Sequence, residues 1–190
     1  MPVVAVSGHS RKTGKTSIAE GLIAAMPEYC WTALKVSLHL HSGEGCVVIE
    51  EPGIGGANDT SRFLKAGAAR AFWIQAKRIE AAAHAARAII KEALYVVIEG
   101  NSVLDFIDAD FSILVLNRSV AEFKKNARAI LARADALVLI NEGGEPPEWE
   151  NLLKSAPANT PLFETAAPDA FPPALAELIN SRIRRSKLIP

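Results

Sequence analysis

The chain is poor in cysteine and in aromatic residues, and neither sign of charge is in excess. Only Cys30 and Cys46 occur among its 190 residues. Two cysteines are too few for a disulfide scaffold, and their spacing matches no metal-ligand pattern, so a reduced, cytoplasmic setting is expected. Lysine plus arginine and aspartate plus glutamate each number 21, which leaves no formal net charge. Whole-molecule attraction to nucleic acid or to an anionic membrane is therefore not expected, and any anion site must rest on local charge. No apolar run approaches the ~20 residues of a membrane span. The N-terminus lacks a basic stretch followed by a long apolar run, so no signal peptide is expected. Trp31, Trp73 and Trp149 fall on separate segments, which suits packing better than a stacking platform.

What is present is a hydrophobic fraction of 49% beside 22% charged residues, the balance of a folded chain. Residues 1–190 are expected to form one domain with a sizeable core. Strand-like and helix-like segments alternate. Strands are expected over Val3–Ser7, Trp31–Leu38, Cys46–Glu50, Ala71–Gln75, Tyr95–Glu99, Phe111–Leu116, Ala136–Ile140 and Leu162–Glu164. Helices are expected over Lys15–Ala25, Thr60–Ala66 with Asp59 as N-cap, Ile79–Ala93, Val120–Ala134 and Pro172–Arg185. Such alternation with apolar strands implies an α/β fold of three layers, a mostly parallel sheet covered by helices on both faces. Ligands of such sheets bind beyond the carboxyl ends of the strands.

The most informative segment stands at the first of those ends. After Val3-Val4-Ala5-Val6 the chain reads Gly8-His9-Ser10-Arg11-Lys12-Thr13-Gly14-Lys15-Thr16-Ser17. A strand, a glycine-bounded loop closing in Gly-Lys-Thr and an amphipathic helix together predict a P-loop. Residues Gly8, Ser10, Arg11, Lys12, Thr13, Gly14, Lys15, Thr16 and Ser17 would then cradle the polyphosphate of GTP or ATP. Lys15 would bring a point charge to the β- and γ-phosphates, and the Thr16 hydroxyl would ligate Mg²⁺. The helix beginning at Lys15 turns its positive end to the same anion. The strict spacing puts its first glycine at position 9, where this chain has histidine. Either the loop holds one extra residue after Gly8, or His9 occupies the usual glycine position.

Further candidates lie at other strand ends. Glu99 closes a strand of four apolar residues and suits the Mg²⁺ shell or the positioning of water. Asp59 is a second metal-linked carboxylate or an N-cap, and Arg62 suits a bidentate phosphate or carboxylate partner. Lys35 is a site residue or a strand-edge cation. His39 and His41 share one face of an extended segment, for substrate contact, metal or solvent. Asn141 stands where GTP-binding P-loop proteins carry Asn-Lys-x-Asp, but the run here is Asn141-Glu142-Gly143-Gly144, without the guanine-reading aspartate. Arg182, Arg184, Arg185 and Lys187 complement the dipole of the last helix.

The P-loop, Ala33-Leu34-Lys35-Val36-Ser37-Leu38-His39, Asn58-Asp59-Thr60-Ser61-Arg62 followed by Ala66-Gly67-Ala68, and Val96-Val97-Ile98-Glu99-Gly100 come in an order that resembles the molybdopterin-guanine dinucleotide biosynthesis protein B (MobB) family. The likeness covers about the first hundred residues. It implies a P-loop NTPase fold, GTP binding with weak hydrolysis, a homodimer, and support of a partner enzyme that assembles molybdenum cofactor. It adds weight to Asp59, Arg62 and Glu99 as site residues. The expected activity is thus nucleotide binding with slow hydrolysis, with Lys15, Glu99 and Asp59 catalytic and Thr16, Glu99 and Asp59 around Mg²⁺. If Arg11 or Lys12 reaches the γ-phosphate across a dimer interface, hydrolysis would depend on dimerisation. A small-molecule kinase and a non-catalytic, nucleotide-dependent adapter are the alternatives.

Overall fold

A computed structural model describes residues 1–39 and 45–186; His41 and Lys187 lie outside the described residues. Eight strands form one sheet: β1 (Val3–Gly8), β2 (Thr32–Ser37), β3 (Cys46–Glu50), β4 (Arg70–Ala76), β5 (Val96–Glu99), β6 (Phe111–Asn117), β7 (Ala136–Ile140) and β8 (Leu162–Thr165). Their order is β3-β4-β2-β5-β1-β6-β7-β8. Every pairing is parallel except β3 with β4, which is antiparallel at the edge. Among the described residues five α-helices accompany them, the last following β8: α1 (Lys15–Ala25), α2 (Asp59–Lys65), α3 (Ile79–Glu92), α4 (Lys125–Leu131) and α5 (Pro173–Ser186).

The two faces follow from strand alternation. Val4 and Val6 of β1, Ala33, Val97 and Val115 face α1, α2 and α5 through Ile18, Leu22, Phe63, Leu175 and Ile179. Val3, Ala5, Leu34, Ile74 and Ile98 face the alanine stripe Ala82, Ala83 and Ala86 of α3. Leu114, Leu116, Leu137 and Leu139 face Ile130 and Leu131 of α4. The helices therefore cover both sides of the sheet, as the alternation of segments predicts. Small alanines let α3 approach β-branched and leucine side chains closely, so the layer is buried without large residues on the helix.

Two expectations need correction. The helix expected over Val120–Ala134 is shorter, Lys125–Leu131. Residues before it run along the P-loop instead: the Lys124 N–H donates to His9 O at 3.0 Å, and the Ser10 hydroxyl donates to Glu122. These contacts hold the segment extended where an isolated pattern favours a helix. The N-cap of α2 is Asn58, not Asp59; its Oδ1 accepts the Ser61 N–H at 2.7 Å. With Asn58 satisfying that helix-end donor, Asp59 is left to turn elsewhere.

Candidate functional site

Strand β1 carries the P-loop to the carboxyl end of the sheet. Its pairing with β6 continues past Gly8, because the His9 N–H donates to Val115 O at 3.1 Å. His9 therefore still belongs to the ladder, and the loop proper is Ser10–Gly14. The histidine occupies the position that the strict motif gives to glycine. It fits because its ring points away from the loop, against Phe123 and Trp149 at centroid distances of 5.3 and 4.6 Å. The ring is fully buried, and its Nε2 accepts the Asn117 N–H at 3.2 Å. Burial lowers its pKa to about 4, so the imidazole is neutral at physiological pH.

The loop's tight course has two glycine requirements. A side chain at Gly8 would place Cβ 2.3 Å from Thr13 Oγ1 and 2.9 Å from the Lys15 stem. Gly14 has φ +90°, and a Cβ there would lie 2.6 Å from Ile140 Cδ1. Asn101 buttresses the loop from β5's extension: it accepts the Gly8 N–H at 2.9 Å and donates to Gly8 O at 2.6 Å. Lys15 reaches back across the loop to donate to Ser10 O at 3.0 Å. Burial depresses its pKa, with the ammonium groups of Lys35 and Lys124 adding to the effect while Glu99 opposes it.

Registry brings the charged residues together. Glu99 pairs across the sheet with Val6 on one side and Lys35 on the other. Both side chains point to the face that α1 covers. Glu99 is buried to 1% exposure. One of its oxygens accepts the Thr16 hydroxyl at 2.9 Å, and the other accepts Lys35 Nζ at 2.6 Å. Lys35 also lies 2.9 Å from Asp59 Oδ2. Burial alone would lower the Lys35 pKa, but the two carboxylates outweigh it and raise it. Lys35 is thus a site residue on a central strand, not an edge cation. Arg62 engages Glu20 through two hydrogen bonds of 2.9 and 2.5 Å and Ser17 Oγ at 3.1 Å.

Arg11, Lys12, Thr13, Gly14, Lys15, Thr16, Ser17, Lys35, Asp59, Arg62 and Glu99 line one cleft of about 460 Å³, with Pro168 at its far end. Gly8, the last residue of β1, and Ser10, the first of the loop, are not among its lining residues. Asn141 stands at the end of β7, where its N–H donates to Thr165 O at 2.8 Å and its Oδ1 accepts the Gly143 N–H at 3.3 Å. It does not line the cleft, although its neighbour Ile140 packs over Gly14. His39 hydrogen-bonds Arg11 at 2.9 Å. Among the described residues no cluster of three histidines, cysteines or carboxylates has the arrangement of a protein-only metal site. The donors fit Mg²⁺ held together with a phosphate: Thr16 and Glu99 offer adjacent hard oxygens, and the ion would neutralise charge on the phosphate chain.

Sequence reading missed Glu20, Asn101, Glu122 and Lys124. Glu20 lies four residues after Thr16, on the same helix face, and Asn101 lies two after Glu99; spacing from the motifs is the available signal for these two. Nothing local marks Glu122 or Lys124.

No protein-family model matches the chain, and no curated protein sequence matches it significantly. Solved structures do. LpxK from Aquifex aeolicus, solved with ATP, superposes with TM-score 0.51 at 19% identity, over 86% of this chain and 53% of that one. HypB from Helicobacter pylori, solved with nickel, gives 0.56 at 14% identity, over 98% and 87%. The signal recognition particle 54 kDa protein from Aeropyrum pernix K1, solved with GDP, gives 0.51 at 13% identity, over 98% and 49%. The fold is that of the P-loop NTPases. The chain spans about half the length of the first and third of these proteins. No helix among the described residues is long and apolar enough to cross a membrane.

Proposed function

We propose that this chain binds a Mg²⁺–nucleoside triphosphate in the cleft above the P-loop and hydrolyses it slowly, as a cytoplasmic homodimer that serves a partner enzyme of molybdenum-cofactor assembly. The observation that carries the reading is the convergence of Lys15 and Thr16 from α1 and Glu99 from β5 on one glycine-shaped loop. In this reading Lys15 and the loop amides stabilise charge on the terminal phosphoryl group. Thr16 and Glu99 hold the metal, with Asp59 beside them through Lys35. Asn141 faces the base from the end of β7. ATP and GDP in two of the structural neighbours support a nucleotide ligand; the MobB-like order of motifs supports the partner.

Calorimetric titration with ATP and with GTP, each with Mg²⁺, tests this. Binding by the wild type and a loss of about 100-fold in Lys15→Ala is expected, since one charge-assisted phosphate contact contributes about 2–3 kcal/mol. Absence of binding to either nucleotide would overturn the reading, and the ratio of the two affinities would decide between GTP and ATP. A phosphotransferase is the second reading. It is favoured by a cavity of about 210 Å³ beside the cleft, lined by Lys35, Ser37, Asn58, Asp59, Thr60 and Trp73. Nucleotide turnover that requires an added metabolite would establish it, whereas turnover unaffected by any acceptor supports hydrolysis. Partner binding set by nucleotide, without turnover, would instead mark an adapter.

A further inference from the structure

A second cleft, of about 290 Å³, opens between the end of β2 and the start of α4, and Pro168 is not among its lining residues. It shares Arg11, Lys15, Lys35 and Glu99 with the P-loop cleft and adds Lys124 and Asn126. Four cationic side chains therefore face one carboxylate. That carboxylate, Glu99, already has both oxygens occupied by Thr16 and Lys35. Arg11 and Lys124 form no ion pair among the described residues. Among the described residues Arg11 hydrogen-bonds the His39 ring and no carboxylate. Lys124 is held by its backbone, whose N–H donates to His9 O at 3.0 Å, and its ammonium is near enough to disfavour the charge on Lys15.

Four cations around one carboxylate repel one another, and an anion that joins them relieves that repulsion. The polyphosphate accounts for Lys15 and the loop amides, on the side that leads to Pro168. Arg11 lines both clefts, and Lys124 lines only the second. We propose that this second cleft is a co-substrate subsite, which takes a small molecule through a dianionic phosphate group and holds it against the terminal phosphate of the bound nucleotide. The planar fork of Arg11, shared by the two clefts, and the point charge of Lys124, which the second cleft adds, match a phosphate dianion better than a monocarboxylate. The inference rests on the nucleotide reading above and deepens its phosphotransferase form.

The test uses the full chain saturated with Mg²⁺ and a β,γ-imido nucleoside triphosphate, so that the P-loop is occupied, and titrates inorganic phosphate at pH 7.5 by phosphorus NMR line broadening. Saturable phosphate binding is expected, with acetate at least tenfold weaker. Lys124→Ala should weaken phosphate at least fivefold more than it weakens the imido nucleotide, and Lys124→Arg should retain most of the phosphate affinity. Binding of nucleotide without saturable binding of phosphate would overturn the subsite alone. So would equal losses of phosphate and nucleotide in Lys124→Ala, because Lys124 would then serve the nucleotide itself. Acetate binding as tightly as phosphate would overturn the phosphate assignment. No binding of the imido nucleotide would overturn the parent reading, and the subsite with it.

Discussion

Replacing His9 with glutamine should change the acid stability of the protein by a predictable amount. The wild-type ring is buried, accepts one backbone N–H and leaves Nδ1 without a partner. Burial lowers its pKa from 6.5 to about 4. Between those values the unfolded chain binds a proton that the folded chain refuses. The histidine is thus without penalty above pH 6.5, and stability falls as the pH drops toward about 4. One pKa unit corresponds to about 1.4 kcal/mol, so moving from pH 7.5 to 4.5 costs about 2.5 kcal/mol through this residue. Glutamine keeps a carbonyl to accept the Asn117 N–H but has no titrating group. His9→Gln should be less stable than wild type at pH 7.5, by ~1 kcal/mol, because the ring contacts with Phe123 and Trp149 are lost. The difference should shift by about 2.5 kcal/mol in favour of the variant at pH 4.5. Urea unfolding at both pH values measures this; with a slope of about 2 kcal/mol/M the relative midpoints move by about 1.2 M. Subtracting the variant removes the carboxylates' own acid response. A gap that stays constant to within ~0.5 kcal/mol between the two pH values refutes the account of a neutral, buried histidine.

Lys35→Met leaves Glu99 buried without its cation and should cost about 3 kcal/mol, the low end for a broken buried pair because the Lys35 side chain keeps 21% exposure. For a chain of this size that lowers Tm by about 6 to 12 °C, read by calorimetric melting. Because its pKa is raised in the fold, the Lys35 contribution is complete below 10.5 and is lost as the pH rises through the raised value. The wild type should therefore lose more stability than Lys35→Met in strongly alkaline buffer. Asn58→Ala removes the cap of α2 and should cost about 1 kcal/mol in urea unfolding, while Asn58→Asp should restore most of it. Thr16→Val keeps the side-chain volume but removes the hydroxyl. Nucleotide affinity should then respond at least about tenfold less to added Mg²⁺ in a titration with and without the ion, the loss expected for one charge-assisted contact.

The sheet was legible because buried parallel strands are short, nearly continuous apolar runs, and α1, with its motif and its apolar face, was legible to the residue. The edge strand β3 could be seen but its direction could not, since antiparallel pairing with β4 is a tertiary property. The segment before α4 was misread for the same reason: Val120–Lys124 has the pattern of a helix, and contacts with His9, Ser10 and Trp149, distant in the chain, hold it out of one. At the site, Lys15, Thr16 and Glu99 were visible because each belongs to a motif whose local geometry determines its use. Lys35 carried no such mark. A lysine on a strand reads equally as an edge cation until the register sets it opposite Glu99. The sequence also left two accounts of His9. Only the hydrogen bond to Val115 shows that the ladder runs one residue further, and only the aromatic neighbours show why an imidazole is accommodated there.

These contacts bear on how a chain with no net charge can keep so many cations at one end of its sheet. Lys15 has the Ser10 carbonyl, Lys35 has Glu99 and Asp59, Arg62 has Glu20, and Thr16 has Glu99. Each group is paired within the chain, so none imposes the full cost of a buried, unsatisfied charge. A polyphosphate arriving at the loop therefore exchanges partners with these residues, and its affinity is the difference between two paired states. Glu99 illustrates the consequence. Each of its oxygens accepts one hydrogen bond and keeps a further lone pair, so in the proposed reading a divalent ion would share the carboxylate with Thr16 and Lys35. The Lys35 ammonium beside it would disfavour the ion until phosphate oxygens arrived with it, which would couple Mg²⁺ to nucleotide.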